Sequence, residues 1–429
     1  MIDPRLFRDA ESFQATRRRL LRRDASLAPA LDELQGLADR RRKAIAEGDA
    51  LKAELNAGSK KVGEIKKAKG DASALMAELG TLSARANGAQ KDAEAIDAEF
   101  HARLLHLPNL PADDLPDGAE EGHQVIRTVG QPVAKQAWHK AHWDLAAQHG
   151  LLDLERGAKI AGSGFPLYTG LGARLERALI TWLLDTAARK HGYTEISPPF
   201  VVTRQTMTGT GQLPKFEDDL YRTAPDDMFL VPTAEVPVTN LHRGEILASE
   251  QLPLRYCAYT PCWRREAGSA GKDTRGILRV HQFDKVELVW FTAPEASEAA
   301  LETLLGHAEH ALQQLGLVYR VLKLAAGDFS FASHKTYDIE VWSPGVGQWL
   351  EVSSCSTFTD FQARRLDVRF KRDKAAKPEF VHTLNGSQLG LARTFIAILE
   401  NFQQQDGSIR VPEVLVPLMG VDRLGVPGA

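Results

Sequence analysis

The sequence predicts an α+β protein in two parts. An N-terminal, long antiparallel α-helical coiled-coil arm precedes a domain built on a mostly antiparallel β-sheet flanked by helices. Three observations carry this. Residues 75–100 hold an unbroken heptad, "LPNLPADDLPDG" interrupts the chain at 107–118, and the remainder shows many apolar strands with few crossover helices. At 429 residues the chain is also too long for one ordinary domain.

The arm comes first. From 27 to 69 helix formers dominate, and Leu27, Leu31, Leu34, Ala38, Ile45, Leu55, Val62 and Ile65 recur at a helical period. After "AKGDA" the positions Leu75, Leu79, Leu82, Ala86, Ala89, Ala93, Ile96 and Phe100 alternate spacings of four and three, the a/d pattern of a coiled coil. Two such helices over residues 27–105 make a hairpin about 50–60 Å long at roughly 1.5 Å per residue. Its charge is lopsided: residues 1–70 carry 17 Lys+Arg against 11 Asp+Glu, and residues 71–120 carry 3 against 10. A hairpin of this kind can be a spacer or a dimerisation coiled coil. The clusters around Arg41, Arg42, Lys60, Lys61, Lys66 and Lys67 favour an arm that meets nucleic-acid phosphates, reading shape more than sequence. The overall charge of −3 excludes a globally basic coat, so any such contact is local.

The body follows. "ARLERALITWLLDTAARKHG" is an amphipathic helix closed by Gly192, and "YTEISPPFVV" a short strand with a Pro-Pro. "MFLVPTAEVPVTNLHRGEIL" reads as strand, loop and helix. "GILRVHQFDKVELVWFT" alternates like a half-buried strand. "TYDIEVWSPGVGQWLEVSSCSTFTDFQARRL" gives two strands around a turn, and "LNGSQLGLARTFIAILENFQ" a Gly-rich turn feeding an apolar helix.

Some function classes drop out. No apolar run reaches about 18 residues, so no membrane span is expected. The start, "MIDPRLFRDAESF", lacks the apolar stretch of a secretory signal. Three cysteines without CxxC spacing suit a reducing cytoplasm, and no His/Cys cluster has zinc-ligand spacing, so no zinc is expected. Neither GxxxxGK[ST] nor a strand-linked GxGxxG occurs.

The chemistry concentrates in "CWRREAGSAGKDTRGILRVHQFDKVEL", residues 262–288. Taken as a hairpin, it sets Arg264 and Glu266 on one strand beside Phe283, Lys285 and Glu287 on the other. A guanidinium grips carboxylate and phosphate in two-pronged fashion, and Phe283 can stack on a purine. The alternative is a solvated ion-pair face. Other segments ask for the same ligand. "PTAEVPVT" offers Thr233 and Glu235, "EVSSCS" offers Glu351 and Ser354 as hard oxygen donors for Mg²⁺, and "NGSQLGLART" offers Ser387 and a further cation, Arg393.

On these residues the chain resembles the bacterial-type seryl-tRNA synthetases, class II aminoacyl-tRNA synthetases, over nearly its full length. "REAGSAGKDTRGILRVHQFDKVE" looks like their motif 2 and "LNGSQLGLARTFIAILENFQ" like motif 3. The helix with "YTEISPPF" and Pro199 looks like motif 1, and "TAE" at 233–235 like the serine-binding loop. Motif 3 departs from the usual form: Gln388 stands for a glycine and Leu391-Ala392 for Val-Gly.

The resemblance implies a tRNA-binding arm over 1–108, a linker over 109–118 and a class II catalytic domain over 119–429. It implies a serine–tRNA ligase that makes seryl-adenylate from L-serine and ATP, then charges tRNA(Ser) and tRNA(Sec). Arg264 and Arg393 would be the catalytic cations. Thr233, Ala234, Glu235, Arg264, Glu287 and Ser387 would bind serine. Arg264, Arg265, Glu266, Val280, Phe283, Glu351, Val352, Ser353, Ser354 and Arg393 would bind ATP, with Glu351 and Ser354 on Mg²⁺. Lys272 and Arg275 would meet phosphates or the tRNA end. A cytoplasmic homodimer is implied as well. Two other readings share the fold: an amino acid ligase for a carrier protein, whose known forms lack the arm and carry zinc ligands, and an inactive RNA-binding paralogue.

Overall fold

The computed structural model describes residues 1–267 and 275–425. It divides into two compact units, Ile2–Pro108 and the chain from Asn109 onward.

The first unit holds α1 (Ala10–Arg23), α2 (Ala28–Lys67) and α3 (Ser73–Leu104). α1 is not among the elements expected from the sequence; Asp9 caps it by accepting from the Ser12 N–H at 2.8 Å. Phe13 and Leu20 of α1 are buried, and Phe7 meets Phe13 and Phe100 with ring centroids 5.8 and 5.7 Å apart. On α3 every heptad position from Leu75 to Phe100 is buried or half-buried. On α2 the seam differs from the expectation. Ile45 is exposed, and the inward line runs Leu34, Leu37, Arg41, Ala44, Gly48, Leu51, Leu55, Gly58, Val62, Ile65. That is also a strict 3-4 alternation, hidden in the sequence because small and charged residues occupy apolar slots. Gly58 packs closely there: a Cβ would lie 2.4 Å from Leu79 Cδ2, so a larger residue would displace that side chain. Arg103–Glu33 at 2.7 Å, Arg41–Asp97 and a 2.7 Å Lys52–Gln90 hydrogen bond tie the basic helix to the acidic one.

The second unit is built on eight strands: β1 (Gln124–Val129), β2 (Thr194–Ile196), β3 (Leu254–Trp263), β4 (Gln282–Thr292), β5 (Tyr319–Lys323), β6 (Lys335–Ser343), β7 (Gln348–Thr359) and β8 (His382–Gly390). They lie side by side as β1-β5-β6-β7-β8-β4-β3-β2, antiparallel throughout except at the β2–β3 edge. The helices that position the site are α4 (His142–Gln148), α5 (Gly170–Asp185), α6 (Glu235–Thr239), α7 (Ser297–Leu315), α8 (Phe361–Leu366) and α9 (Leu391–Phe402). Among the described residues no helix is long and apolar enough to cross a membrane.

β4 shows how the sheet is sandwiched. Val286, Leu288 and Trp290 join a core with Leu179 of α5, Leu304 of α7 and Phe395 of α9. Val289 and Phe291 point the other way, into a second cluster with Ala234, Val238 and Leu366. The strand expected to be half-buried is therefore buried on both faces, and the polar residues that made it look alternating, Lys285 and Glu287, are themselves inside. The segment 109–118, expected as a linker, is docked on this unit. Ala112 and Leu115 pack with Ala326, the Asn109 amide donates to the Ala332 and Phe358 carbonyls, and Asp114 pairs with Lys323 and Lys335. Its prolines stop a helix, but its apolar side chains still find a core.

Candidate active site

Three strands, β4, β7 and β8, converge on one cavity of about 380 Å³. In its floor β8 and β4 place Ser387 directly beside Glu287. The motif "LNGSQLG" is thus a strand in mid-sheet, where a turn was expected. Gly386 is a packing residue there: a Cβ would stand 2.5 Å from Leu304 Cδ2 and 2.8 Å from Cys355 Sγ. Gln388, the departure from the family form, sits at the irregularity between Ser387 and Leu389 and is fully buried.

Glu287 is the hub of the floor. Its Oε2 accepts from Thr233 Oγ1 at 3.3 Å and from Ser387 Oγ at 3.5 Å, and it pairs with the Lys285 ammonium. Lys285 lies two residues back on the same face, as a period of two requires. Glu235, at the start of α6, is buried nearby. Gln362 of α8 donates to its Oε1 at 2.6 Å, and Thr383 in turn donates to Gln362 at 2.7 Å. Burial, and then the neighbouring Glu287 charge, push the Glu235 pKa up to about 7, against the opposing pull of Gln362 and Lys285. Two buried carboxylates beside one ammonium leave room for a further positive group.

Arg264 and Glu266 lie beyond the end of β3, not on it, and Glu266 takes φ = 51°. The Arg264 N–H donates to the His281 carbonyl at 2.9 Å, and its guanidinium stands 5.1 Å from the Phe283 ring centroid. Glu266 pairs with Arg279 at 3.1 Å. On the opposite wall Arg393, in the first turn of α9, donates to the Leu278 carbonyl at 3.2 Å and the Glu351 carbonyl at 3.0 Å. Its Nη1 is 3.7 Å from the Glu351 carboxylate.

Of the expected residues, Thr233, Glu235, Arg264, Glu266, Val280, Phe283, Glu287, Glu351, Val352, Ser353, Ser354, Ser387 and Arg393 line this cavity. Ala234 does not: its side chain packs in the apolar cluster behind the loop. Arg265 lies in a separate hollow with Glu217 and Tyr221, because its N–H is held by the Asp219 carbonyl at 2.9 Å. Arg275 stacks 4.4 Å from the Trp143 ring, away from the cavity, and Lys272 falls outside the described residues. Asn385 and Arg279 line the cavity without having been singled out, and Lys285, placed on the inward face by spacing, had no role assigned to it. Lys285 and Asn385 had a signal, since each sits in a quoted motif; Gln362 had none, being 127 residues from its partner Glu235.

The residues expected to take Mg²⁺ fit it chemically. The Glu351 carboxylate is half-exposed at the cavity wall, and Ser354 follows on the same strand. Asp338, paired with Ser354 in register, has a buried Oδ1 with no hydrogen-bond partner. All are hard oxygen donors.

Comparison with known proteins agrees. Residues 1–111 match the seryl-tRNA synthetase N-terminal domain, and residues 215–402 match the tRNA synthetase class II core domain (G, H, P, S and T). Serine–tRNA ligases of Geobacter sulfurreducens and Gemmatimonas aurantiaca are 49% and 51% identical, over 98% of this chain and 99% of theirs. The chain belongs to the seryl-tRNA synthetases. Among solved structures, the seryl-tRNA synthetase of Pyrococcus horikoshii complexed with ATP superposes with TM-score 0.94 at 34% identity, covering all of both chains. The complex of A. aeolicus tRNASec with M. kandleri SerRS gives TM-score 0.58 at 18% identity over 83% of this chain and 69% of that one, a likeness of fold. As a member of this family the chain is a class II aminoacyl-tRNA synthetase, an ATP-dependent serine–tRNA ligase. Neither the carrier-protein ligase nor the inactive paralogue is favoured.

Proposed function

We propose that the cavity performs both half-reactions of serine transfer, with the roles divided between its two walls. The observation that carries this is the Glu235–Glu287–Lys285 group opposite Arg264: acids for an amine and a hydroxyl on one side, a guanidinium for a carboxylate on the other. Serine's ammonium and hydroxyl go to Glu235, Glu287, Thr233 and Ser387. Its carboxylate goes to Arg264, which also contacts the α-phosphate of ATP. The adenine lies on Phe283 beside Glu266 and Val280, and Arg393 reaches the γ-phosphate.

A serine carboxylate oxygen then attacks the α-phosphorus in line, and pyrophosphate leaves. In the second half-reaction the terminal ribose hydroxyl of tRNA attacks the seryl carbonyl, and AMP leaves. No protein nucleophile enters either step; fixed cations and alignment lower the barrier. Glu351 and Ser354 would hold Mg²⁺, whose charge would offset that of the phosphates. Alanine is rejected because it would leave buried polar partners unsatisfied.

The partners we assign are tRNA(Ser) and tRNA(Sec), met by the arm. Support comes from Lys60, Lys61, Lys66 and Lys67, which are exposed along α2. Arg41 is a weaker candidate, since it pairs with Asp97, and Arg42 is bonded to the Arg8 carbonyl and Asp39. We assign the division at 1–108 and 119–429 to arm and catalytic domain. We place the protein in the cytoplasm, where its three free, buried cysteines would stay reduced. A homodimer is our reading of the assembly, supported by exposed apolar Ile126 and Ile160. Serine-dependent pyrophosphate exchange followed by tRNA charging tests the whole. Exchange without charging would point to another acceptor, and no exchange would end the reading.

A further inference from the structure

The catalytic roles above leave a buried charge relay unused. His142, first residue of α4, and Glu400, near the end of α9, are both fully buried. The Glu400 carboxylate accepts from the His142 N–H at 2.8 Å, His142 Nδ1 at 3.1 Å, the Gly345 N–H at 2.8 Å, the Val346 N–H at 3.1 Å and the Ser343 hydroxyl. Burial opposes its charge, but these donors outweigh that and hold its pKa below the ordinary glutamate value.

The other ring nitrogen points at a segment inside motif 2. His142 Nε2 accepts from the Ile277 N–H at 3.2 Å. Nε2 must therefore carry the lone pair, and Nδ1 the proton given to Glu400. The next residue, Leu278, offers its carbonyl to Arg393 Nε at 3.2 Å. Arg393 and Glu400 lie on one helix, seven residues or about two turns apart. The segment 276–278 is thus pinned to α9 twice, through His142 at Ile277 and directly at Leu278. Gly276 lets it approach: φ is +69°, and a Cβ would stand 2.1 Å from His142 Nε2.

We propose that His142, oriented by Glu400, is a positioning residue for Arg393: it fixes residues 276–278 so that the Leu278 carbonyl aims the Arg393 guanidinium into the cavity. This rests on the reading that Arg393 binds ATP phosphate. It makes the hydrogen bonds of a ring outside the cavity lining part of the ATP site, as supporting groups orient ligands elsewhere.

The test is a double-mutant cycle in pyrophosphate exchange, using the full-length enzyme. His142→Leu should raise KM for ATP and lower kcat, together by about 10–100-fold, the range seen when a supporting partner is lost. KM for serine should stay within about twofold. In an Arg393→Ala background the same change should add less than about threefold, since its target is gone. His142→Gln, which can still accept from Ile277, should recover part of the loss. Gly276→Ala, which leaves His142 and Glu400 intact but pushes the segment away, should reproduce the ATP effect and serves if His142→Leu does not fold. Equal changes in both KM values, or full additivity with Arg393→Ala, would overturn the proposal while leaving the ATP role of Arg393 standing. A normal KM for ATP in Arg393→Ala alone would remove that role and the proposal with it.

Discussion

The arm and the cavity both use charge, in opposite ways. Along α2 the lysines at 60, 61, 66 and 67 are exposed, each able to meet a phosphate on its own. In the cavity Lys285 and Glu287 are buried against each other, and Glu235 against Gln362. Exposed charges are screened and contribute separately and weakly. Buried ones are interdependent, because removing one leaves its partner uncompensated in a low-dielectric site. Function should therefore fail gradually along the arm and abruptly in the cavity, and the two failures should appear in different half-reactions.

The harshest break is removal of the arm itself. Deleting residues 30–100 should abolish tRNA charging and leave pyrophosphate exchange within about twofold, measured on the same preparation; a charging-competent deletion would void the arm's role. Next comes Arg264→Ala, which should cost about 10³-fold in exchange, the scale of losing a preorganised charge at the reacting centre. Near-normal exchange would sink its assignment.

A pH profile is subtler. Glu235, facing Glu287, Lys285, Gln362 and Asn385, has its pKa raised to about 7, so in the free enzyme it is largely protonated below that value. A bound ammonium favours the ionised form, so serine binding must release the proton at low pH. KM for serine should then rise as pH falls from 8 to 6, by up to about tenfold per unit in the limit, and Glu235→Gln should flatten the profile. A flat profile in the unaltered enzyme would place the amine elsewhere. The smallest effect belongs to Lys60→Ala with Lys61→Ala. A few-fold rise in KM for tRNA, a salt dependence shallower by about one unit per lost phosphate contact, and unchanged exchange are expected.

Much of this was legible in the sequence because period and composition carried it. The α3 heptad, the proline-rich break and the inward Lys285–Glu287 face all follow from spacing. The α2 seam was misread because Arg41, Ala44, Gly48 and Gly58 occupy inward positions that an apolar pattern does not mark, and of the two glycines only Gly58 lies in close approach to the partner helix. "NGSQLG" looked like a turn because Asn, Gly and Ser usually make turns. In mid-sheet Gly386 answers instead to Leu304 and Cys355, which no local pattern reveals. The same holds for Gln362 and His142, whose partners Glu235 and Glu400 lie 127 and 258 residues away. Arg265 sits next to Arg264 in the sequence, but a backbone bond to Asp219 turns it toward a different hollow.

The central claim is that binding of tRNA and activation of serine are carried by separate sets of charges. Measuring both half-reactions side by side on the arm-deleted protein and on Arg264→Ala tests it most directly. The account predicts exchange without charging in the first and neither reaction in the second. Loss of exchange in a folded arm-deleted protein, or exchange surviving in Arg264→Ala, would contradict it.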